Sequence, residues 1–174
     1  MNRTEKKAEC ARLWKEAFCD SDEFISEFIS NHYCEENMLA IEDNGRILSM
    51  LHIIPFEWEG MPVAYLYGIA TDKNARGKGY ATELIQQAIE KVKENGFKAA
   101  FTIPAEETLS TFYSNFGFNG KYAVKFETTD NFDFGTGDRS KDLASVILFD
   151  SQIQLPTTIV LKKQQRSATT VTNL

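Results

Sequence analysis

No stretch of the 174-residue chain approaches the roughly 18 consecutive apolar residues needed to cross a bilayer. Met1 to Glu9 is charged and lacks the apolar centre of a secretory signal. Cysteine is scarce and odd in number: Cys10, Cys19 and Cys34 stand in a chain too large to need disulfide staples. These absences point to a cytoplasmic protein with no membrane partner. Positive charge is also short. Lys and Arg total 19 against 25 Asp and Glu, for a formal net charge of −6 and a pI near 5.0. General nucleic-acid affinity needs a basic face to displace counterions from phosphates, so nucleic acid is excluded as a partner. A small local basic pocket is not. What is present is core material: 43% hydrophobic and 12% aromatic residues, enough for one globular domain over residues 1–174, with a polar tail at 163–174 prone to fray.

Cys10, Leu13, Trp14, Ala17 and Phe18 recur at helical spacing, which predicts an amphipathic helix over residues 4–18. Asp20 followed by Glu23 resembles a capping box, opening a second helix through Phe24, Ile25, Phe28 and Ile29. Asn37–Glu42, Arg46–Trp58 and Met61–Thr71 read as three antiparallel strands joined at the turn dipeptides Asn44-Gly45 and Glu59-Gly60. The clearest helix is 80–95, with an apolar stripe through Tyr80, Ala81, Leu84, Ile85, Ala88, Ile89 and Val92 and Gly96 as its left-handed cap. Lys98–Ile103 reads as a strand that Pro104 ends. Leu109, Phe112, Tyr113 and Phe116 give a short helix stopped by Gly117. Lys121–Thr128 and Thr157–Lys162 are further strands, and Asp130–Asp142 has no clear period and reads as a loop. The class is α+β: a mixed, mostly antiparallel sheet flanked by helices.

Between the third strand and the strong helix lies Asp72-Lys73-Asn74-Ala75-Arg76-Gly77-Lys78-Gly79-Tyr80-Ala81. A helix N-terminus presents unpaired N–H groups and about half a positive charge. Gly77 and Gly79 let a ligand approach the backbone, and Arg76 and Lys78 add positive charge. A phosphate or pyrophosphate suits such a place. The bland alternative is a surface loop whose glycines only turn the chain. A Walker A loop is absent, and the dinucleotide fingerprint would put its third Gly at Thr82.

Arg76-Gly77-Lys78-Gly79-Tyr80-Ala81 fits the pattern [Arg/Gln]-x-x-Gly-x-[Gly/Ala], and Tyr113-Ser114-Asn115-Phe116-Gly117-Phe118 fits Tyr-x-x-x-Gly-Phe. The pair, in this order and on these elements, resembles the GNAT superfamily of acetyl-CoA-dependent N-acetyltransferases over residues 8–128. Within it, residues 65–118 look most similar to the N-terminal module of the enhanced-intracellular-survival type. The resemblance implies that acetyl-CoA is the cosubstrate and an amine the acceptor, with no metal. It implies a pyrophosphate on the N–H groups of Arg76, Gly77, Lys78, Gly79, Tyr80 and Ala81, and a pantetheine arm along Ile69, Ala70 and Thr71, with an N–H near Ala70 polarising the thioester carbonyl. Gly68 there permits a bulge or a close approach. Tyr113 matches the general acid that protonates the departing thiolate, although its position on an apolar stripe also suits a core aromatic. Many relatives carry a polar residue where Pro104-Ala105 stands here, so no contact is carried over at that point.

An alkylamine with a pKa near 10.4 must lose a proton before it attacks. Glu57, Glu59, His52, Glu106 and Glu107 are candidate bases, and no motif selects among them. Direct attack in a ternary complex requires no cysteine nucleophile, and Cys10, Cys19, Cys34, His32 and His52 read as structural residues. The rival readings are a non-catalytic acyl-CoA-binding or sensor module and a nucleotide-binding regulatory domain. A homodimer is compatible with all three.

Overall fold

The computed structural model describes residues 1–137 and 142–164. Part of the loop expected at 130–142 and most of the tail expected to fray lie outside the described residues. Helix α1 (Arg3–Phe18) opens on a reciprocal cap: Asn2 Oδ1 accepts from Glu5 N at 2.9 Å while Asn2 N donates to Glu5 Oε2 at 2.7 Å. It ends in a left-handed Cys19. Helix α2 (Asp22–Asn31) starts one residue later than its sequence signal. Ser21, not Asp20, caps it by accepting from Phe24 N at 3.1 Å, while Asp20 Oδ2 accepts from Trp14 Nε1 at 2.8 Å.

Strands β1 (Met38–Asp43), β2 (Arg46–Trp58) and β3 (Met61–Thr71) form the expected antiparallel meander. Both turns carry positive φ at their two central residues, 47° and 74° at Asn44-Gly45 and 48° and 78° at Glu59-Gly60, which matches the twist of a two-residue hairpin. Helix α3 (Tyr80–Glu94) crosses over to β4 (Ala99–Thr102), parallel to β3. Helix α4 (Leu109–Ser114) leads to β5 (Asn119–Glu127), followed by β6 (Leu143–Leu148) and β7 (Thr158–Lys163). The seven strands make one sheet in the order β1-β2-β3-β4-β6-β5-β7, and β7 returns to pair with β2 at Phe56 and Glu57.

Strand β6 is missing from the sequence reading. Leu-Ala-Ser-Val-Ile-Leu is a short apolar run without alternation, so periodicity alone could not distinguish it from helix or buried loop. Its pairing between β4 and β5 makes it a strand.

Alternation along β2 and β3 divides the core. Met50, Ile54, Phe56 and Tyr65 face α1, α2 and the 132–134 segment. Leu51, Ile53, Ala64 and Leu66 face α3 and α4, where Leu84, Ile85, Ala88 and Val92 of the predicted stripe are buried and Tyr80, Ala81 and Ile89 are half-buried. The pairing of β3 with β4 covers only Val63–Ala99, Ala64–Ala100 and Tyr65–Phe101. Beyond Tyr65, β3 keeps β2 on one side and, among the described residues, has no strand on the other. Pro104, with no N–H to donate, follows shortly after β4 ends. Thr102 Oγ1 donates to Leu66 O at 3.2 Å across the vertex of this opening. No helix among the described residues is long and apolar enough to cross a membrane.

His52 lies inside the first core layer, 1% exposed, with ring centroids 5.0 Å from Phe28 and 5.9 Å from Trp14. Its Nε2 is buried without a hydrogen-bond partner among the described residues. Burial pushes its pKa down from 6.5 to about 3. An unfolded chain therefore takes up this proton near pH 6.5, whereas the folded protein resists until about pH 3. The unfolded state binds more protons across that window, so stability falls as pH drops through it, by up to about 1.4 kcal/mol per pH unit. Urea unfolding of the His52→Leu variant between pH 6 and 4 is expected to show a shallower acid loss than wild type. An unchanged slope would mean that His52 does not titrate on unfolding.

Candidate functional site

The segment between β3 and α3 is pinned at its start by Asp72, which is 4% exposed. Its Oδ1 accepts from Asn74 N at 3.0 Å, and its Oδ2 accepts from Arg12 Nη1 and Arg46 Nη2, each at 3.2 Å. The Asn74 N–H and the two guanidinium groups hold the carboxyl below its ordinary pKa. Arg12 also donates to Ile47 O at 2.9 Å, and Glu9 Oε2 accepts from Ile47 N at 3.0 Å. These bonds tie α1 to the start of β2 and to the end of β3.

Past this clamp the chain is open. Arg76, Gly77, Lys78 and Gly79 are exposed, and Tyr80 and Ala81 are half-buried. Among the described residues nothing accepts from the N–H groups of Arg76 to Gly79. Gly77 and Gly79 adopt φ of 77° and 80°, and a Cβ built on either meets nothing within 4 Å. Gly79 is the N-cap of α3 and offers no capping side chain, so the N–H groups of the first turn stay available. Arg76 Nε reaches back to Thr71 O at 3.4 Å.

The strand leading into this loop carries a bulge. Met50 faces Ala70 and His52 faces Tyr67, so three steps of β3 oppose two of β2. Gly68, at φ 61°, sits in the bulge, and a Cβ there would lie 2.6 Å from Trp14 Cζ3. The indole therefore packs directly on the backbone. Ala70 O accepts from Ser49 Oγ at 3.2 Å, and the Ser49 and Thr71 hydroxyls are 2.9 Å apart.

Where β3 and β4 part, a cleft of about 530 Å³ runs between the layers. Leu66 to Ile69 line one side, Thr102 and Ile103 the other, and Tyr113 reaches it from α4. Of the residues singled out from the sequence, Ile69 and Tyr113 meet in this cleft. Ala70 and Thr71 continue along the same strand, and Arg76 to Ala81 lie beyond its end without lining the cleft. Tyr113 is 8% exposed and packs on Phe118 at 6.2 Å between centroids, so it serves the core and the cleft at once. Burial pushes its phenol above the ordinary value of 10, with the Thr102 hydroxyl pulling weakly the other way.

None of the five candidate bases lines the cleft. Glu57 and Glu59 sit at the far hairpin end of β2 and β3, and His52 is sealed in the core. Glu106 and Glu107 line a separate hollow beside Lys121, whose Nζ is 2.6 Å from Glu107 Oε1 and keeps that carboxyl ionised below its usual range. Among the described residues, the carboxylates on the cleft are instead Asp20 and Asp133. Asp133 is presented by a segment whose neighbours Phe132 and Phe134 are buried, with Tyr65 Oη donating to Phe134 O at 3.1 Å. The alternation Phe132-Asp133-Phe134 was the available signal, within a loop otherwise without period.

A family model described as an acetyltransferase (GNAT) domain matches residues 2–120. No curated protein matches the chain. Among solved structures, a GNAT family N-acetyltransferase (YhbS) from Escherichia coli in complex with CoA is 16% identical, with a TM-score of 0.63 over 91% of this chain and 84% of that one. A GNAT family acetyltransferase from Brucella melitensis in complex with acetyl-CoA is 18% identical, with a TM-score of 0.56 over 68% of this chain and 80% of that one. Eis1 from Mycobacterium abscessus is 13% identical at a TM-score of 0.54, covering 72% of this chain but only 30% of Eis1. At these identities the likeness is one of fold. The domain match spans more than half of the sequence, and the chain belongs to the GNAT acetyltransferase family.

Proposed function

We propose that the protein transfers an acetyl group from acetyl-CoA to a primary amine by direct attack in a ternary complex. The observation that carries this reading is one strand, β3, with an unpaired edge beyond Tyr65, an anion-ready helix start at its end and a buried tyrosine across the gap. Acetyl-CoA supplies an activated thioester. The residues present suit it. Free N–H groups from Arg76 to Ala81, with the Arg76 and Lys78 cations, would hold a pyrophosphate. The open edge at Ile69, Ala70 and Thr71 offers main-chain hydrogen bonds to an amide-bearing arm, as an added strand would use them.

A phenol of ordinary pKa near 10 is protonated at neutral pH, and burial pushes that of Tyr113 higher still. It is therefore a stored proton facing the cleft, suited to a departing thiolate. An N–H near Ala70 would stabilise charge developing on the carbonyl oxygen. A non-catalytic acyl-CoA sensor would need the loop but not this tyrosine.

Two measurements test the two halves separately. CoA and acetyl-CoA are each expected to raise Tm, because a ligand at a hundredfold excess over Kd stabilises the native state by about 2.7 kcal/mol. Gly79→Val places a β-branched residue at a left-handed N-cap in the path of the ligand and should abolish most of that shift. A shift that survives intact would move the site away from this loop. Tyr113→Phe removes only a hydroxyl. Single-turnover transfer is expected to fall by roughly 10²–10⁴-fold, with the acetyl-CoA shift retained. Unchanged chemistry accompanied by a lower Tm would make Tyr113 a core residue alone.

A further inference from the structure

An arm that enters at the glycine loop and runs along Thr71, Ala70 and Ile69 meets Gly68 next. The sulfur, the carbonyl carbon and then the acyl chain arrive at this part of β3. What packs on Gly68 therefore decides how long that chain can be.

Gly68 lies in the bulge where the pairing shifts from Met50–Ala70 to His52–Tyr67. A Cβ on Gly68 would lie 2.6 Å from Trp14 Cζ3 and 2.9 Å from Trp14 Cη2, so the six-membered ring of the indole fills the space a side chain would take. Trp14 is 2% exposed, and it lines the cleft together with Gly68. Straight ahead, Thr102 Oγ1 donates to Leu66 O at 3.2 Å, and the two strands pair again at Tyr65 and Phe101. Among the described residues, the channel is thus closed forward by the strands and toward α1 by the indole. The mouth, where Phe18 is exposed, is left to the acceptor.

The indole is held from several sides. Its Nε1 donates to Asp20 Oδ2 at 2.8 Å. Its ring centroid lies 4.6 Å from Phe28, 5.3 Å from Tyr67 and 5.9 Å from His52. Phe28 and His52 are both buried, so a displaced ring would have to move core residues in turn. Close-packed interiors resist even one added methylene. An acetyl group ends in a methyl; propionyl and butyryl groups extend it by methylenes that point into this packing.

Building on the acetyl-transfer reading, we infer that Trp14 sets the acyl length: its indole, seated on Gly68, closes the end of the channel and confines the donor to a short acyl group. This role is distinct from that of Tyr113, which faces the departing thiolate.

The test measures binding of CoA, acetyl-CoA, propionyl-CoA and butyryl-CoA to the full chain, so no acceptor is needed. Wild type is expected to bind butyryl-CoA at least roughly tenfold more weakly than acetyl-CoA, the discrimination a packed apolar wall achieves against added methylenes. Trp14→Phe and Trp14→Leu shorten the side chain that reaches Gly68 and should bring that ratio toward one. Phe56→Leu truncates the same core layer away from the cleft; it should lower Tm and leave the ratio unchanged, which a merely structural role for Trp14 would not distinguish. A second measurement keeps the indole in place. The chain has two tryptophans, so Trp58→Phe leaves Trp14 as the sole indole emitter. Acetyl-CoA should then change its emission beyond the effect of CoA. Equal affinity of wild type for acetyl-CoA and butyryl-CoA, a ratio that survives both Trp14 variants, or identical Trp14 emission with CoA and acetyl-CoA would overturn the assignment and leave acetyl transfer standing. Failure of every CoA species to bind would overturn the acetyl-transfer reading itself.

Discussion

Three residue pairs, Val63–Ala99 to Tyr65–Phe101, hold β3 to β4, and then the two parallel strands part. A continuous sheet would have satisfied the backbone of Leu66 to Thr71 on both sides. Separation leaves one side of that strand unpaired along the cleft, among the described residues. The β2 contacts and the layers above and below keep the strand extended. The site is therefore built from a break in the sheet, and the residues around it are arranged to keep the break from closing.

Two kinds of contact do so. The Asp72 carboxylate gathers Arg12, Arg46 and the Asn74 N–H at the far end of β3. It gives the glycine loop a fixed starting point while leaving its N–H groups free. At the strand's middle, the Trp14 indole rests on Gly68, where even one methyl group would collide. The same indole then donates to Asp20. One side chain of α1 thus sets the bulge in β3, the aromatic wall of the cleft and the orientation of a cleft carboxylate.

Tyr113 illustrates why a core role and a chemical role are not rivals here. Its ring fills the layer beneath α4, and the burial that this packing imposes pushes the phenol's pKa above its ordinary value. Packing and acidity share one cause.

Much of this was legible in the chain itself. The stripe along α3, the turn dipeptides at Asn44-Gly45 and Glu59-Gly60, and the loop ending in Gly79 are local features, fixed by side-chain period and by backbone angles that only certain residues tolerate. They sufficed to place the loop and Tyr113 on their elements. Strand β6 was not legible, because an apolar run becomes a strand only when neighbours supply its hydrogen bonds. Nor were Asp20 and Asp133. Asp20 looks like a cap in sequence and becomes a cleft carboxylate because Trp14 claims it, and Asp133 faces the cleft because Phe132 and Phe134 bury on either side. Local chemistry determined the elements and the anion-ready loop. Which carboxylates share a cavity was decided by tertiary packing, which brings Asp20 and Asp133 to one cleft from distant parts of the chain.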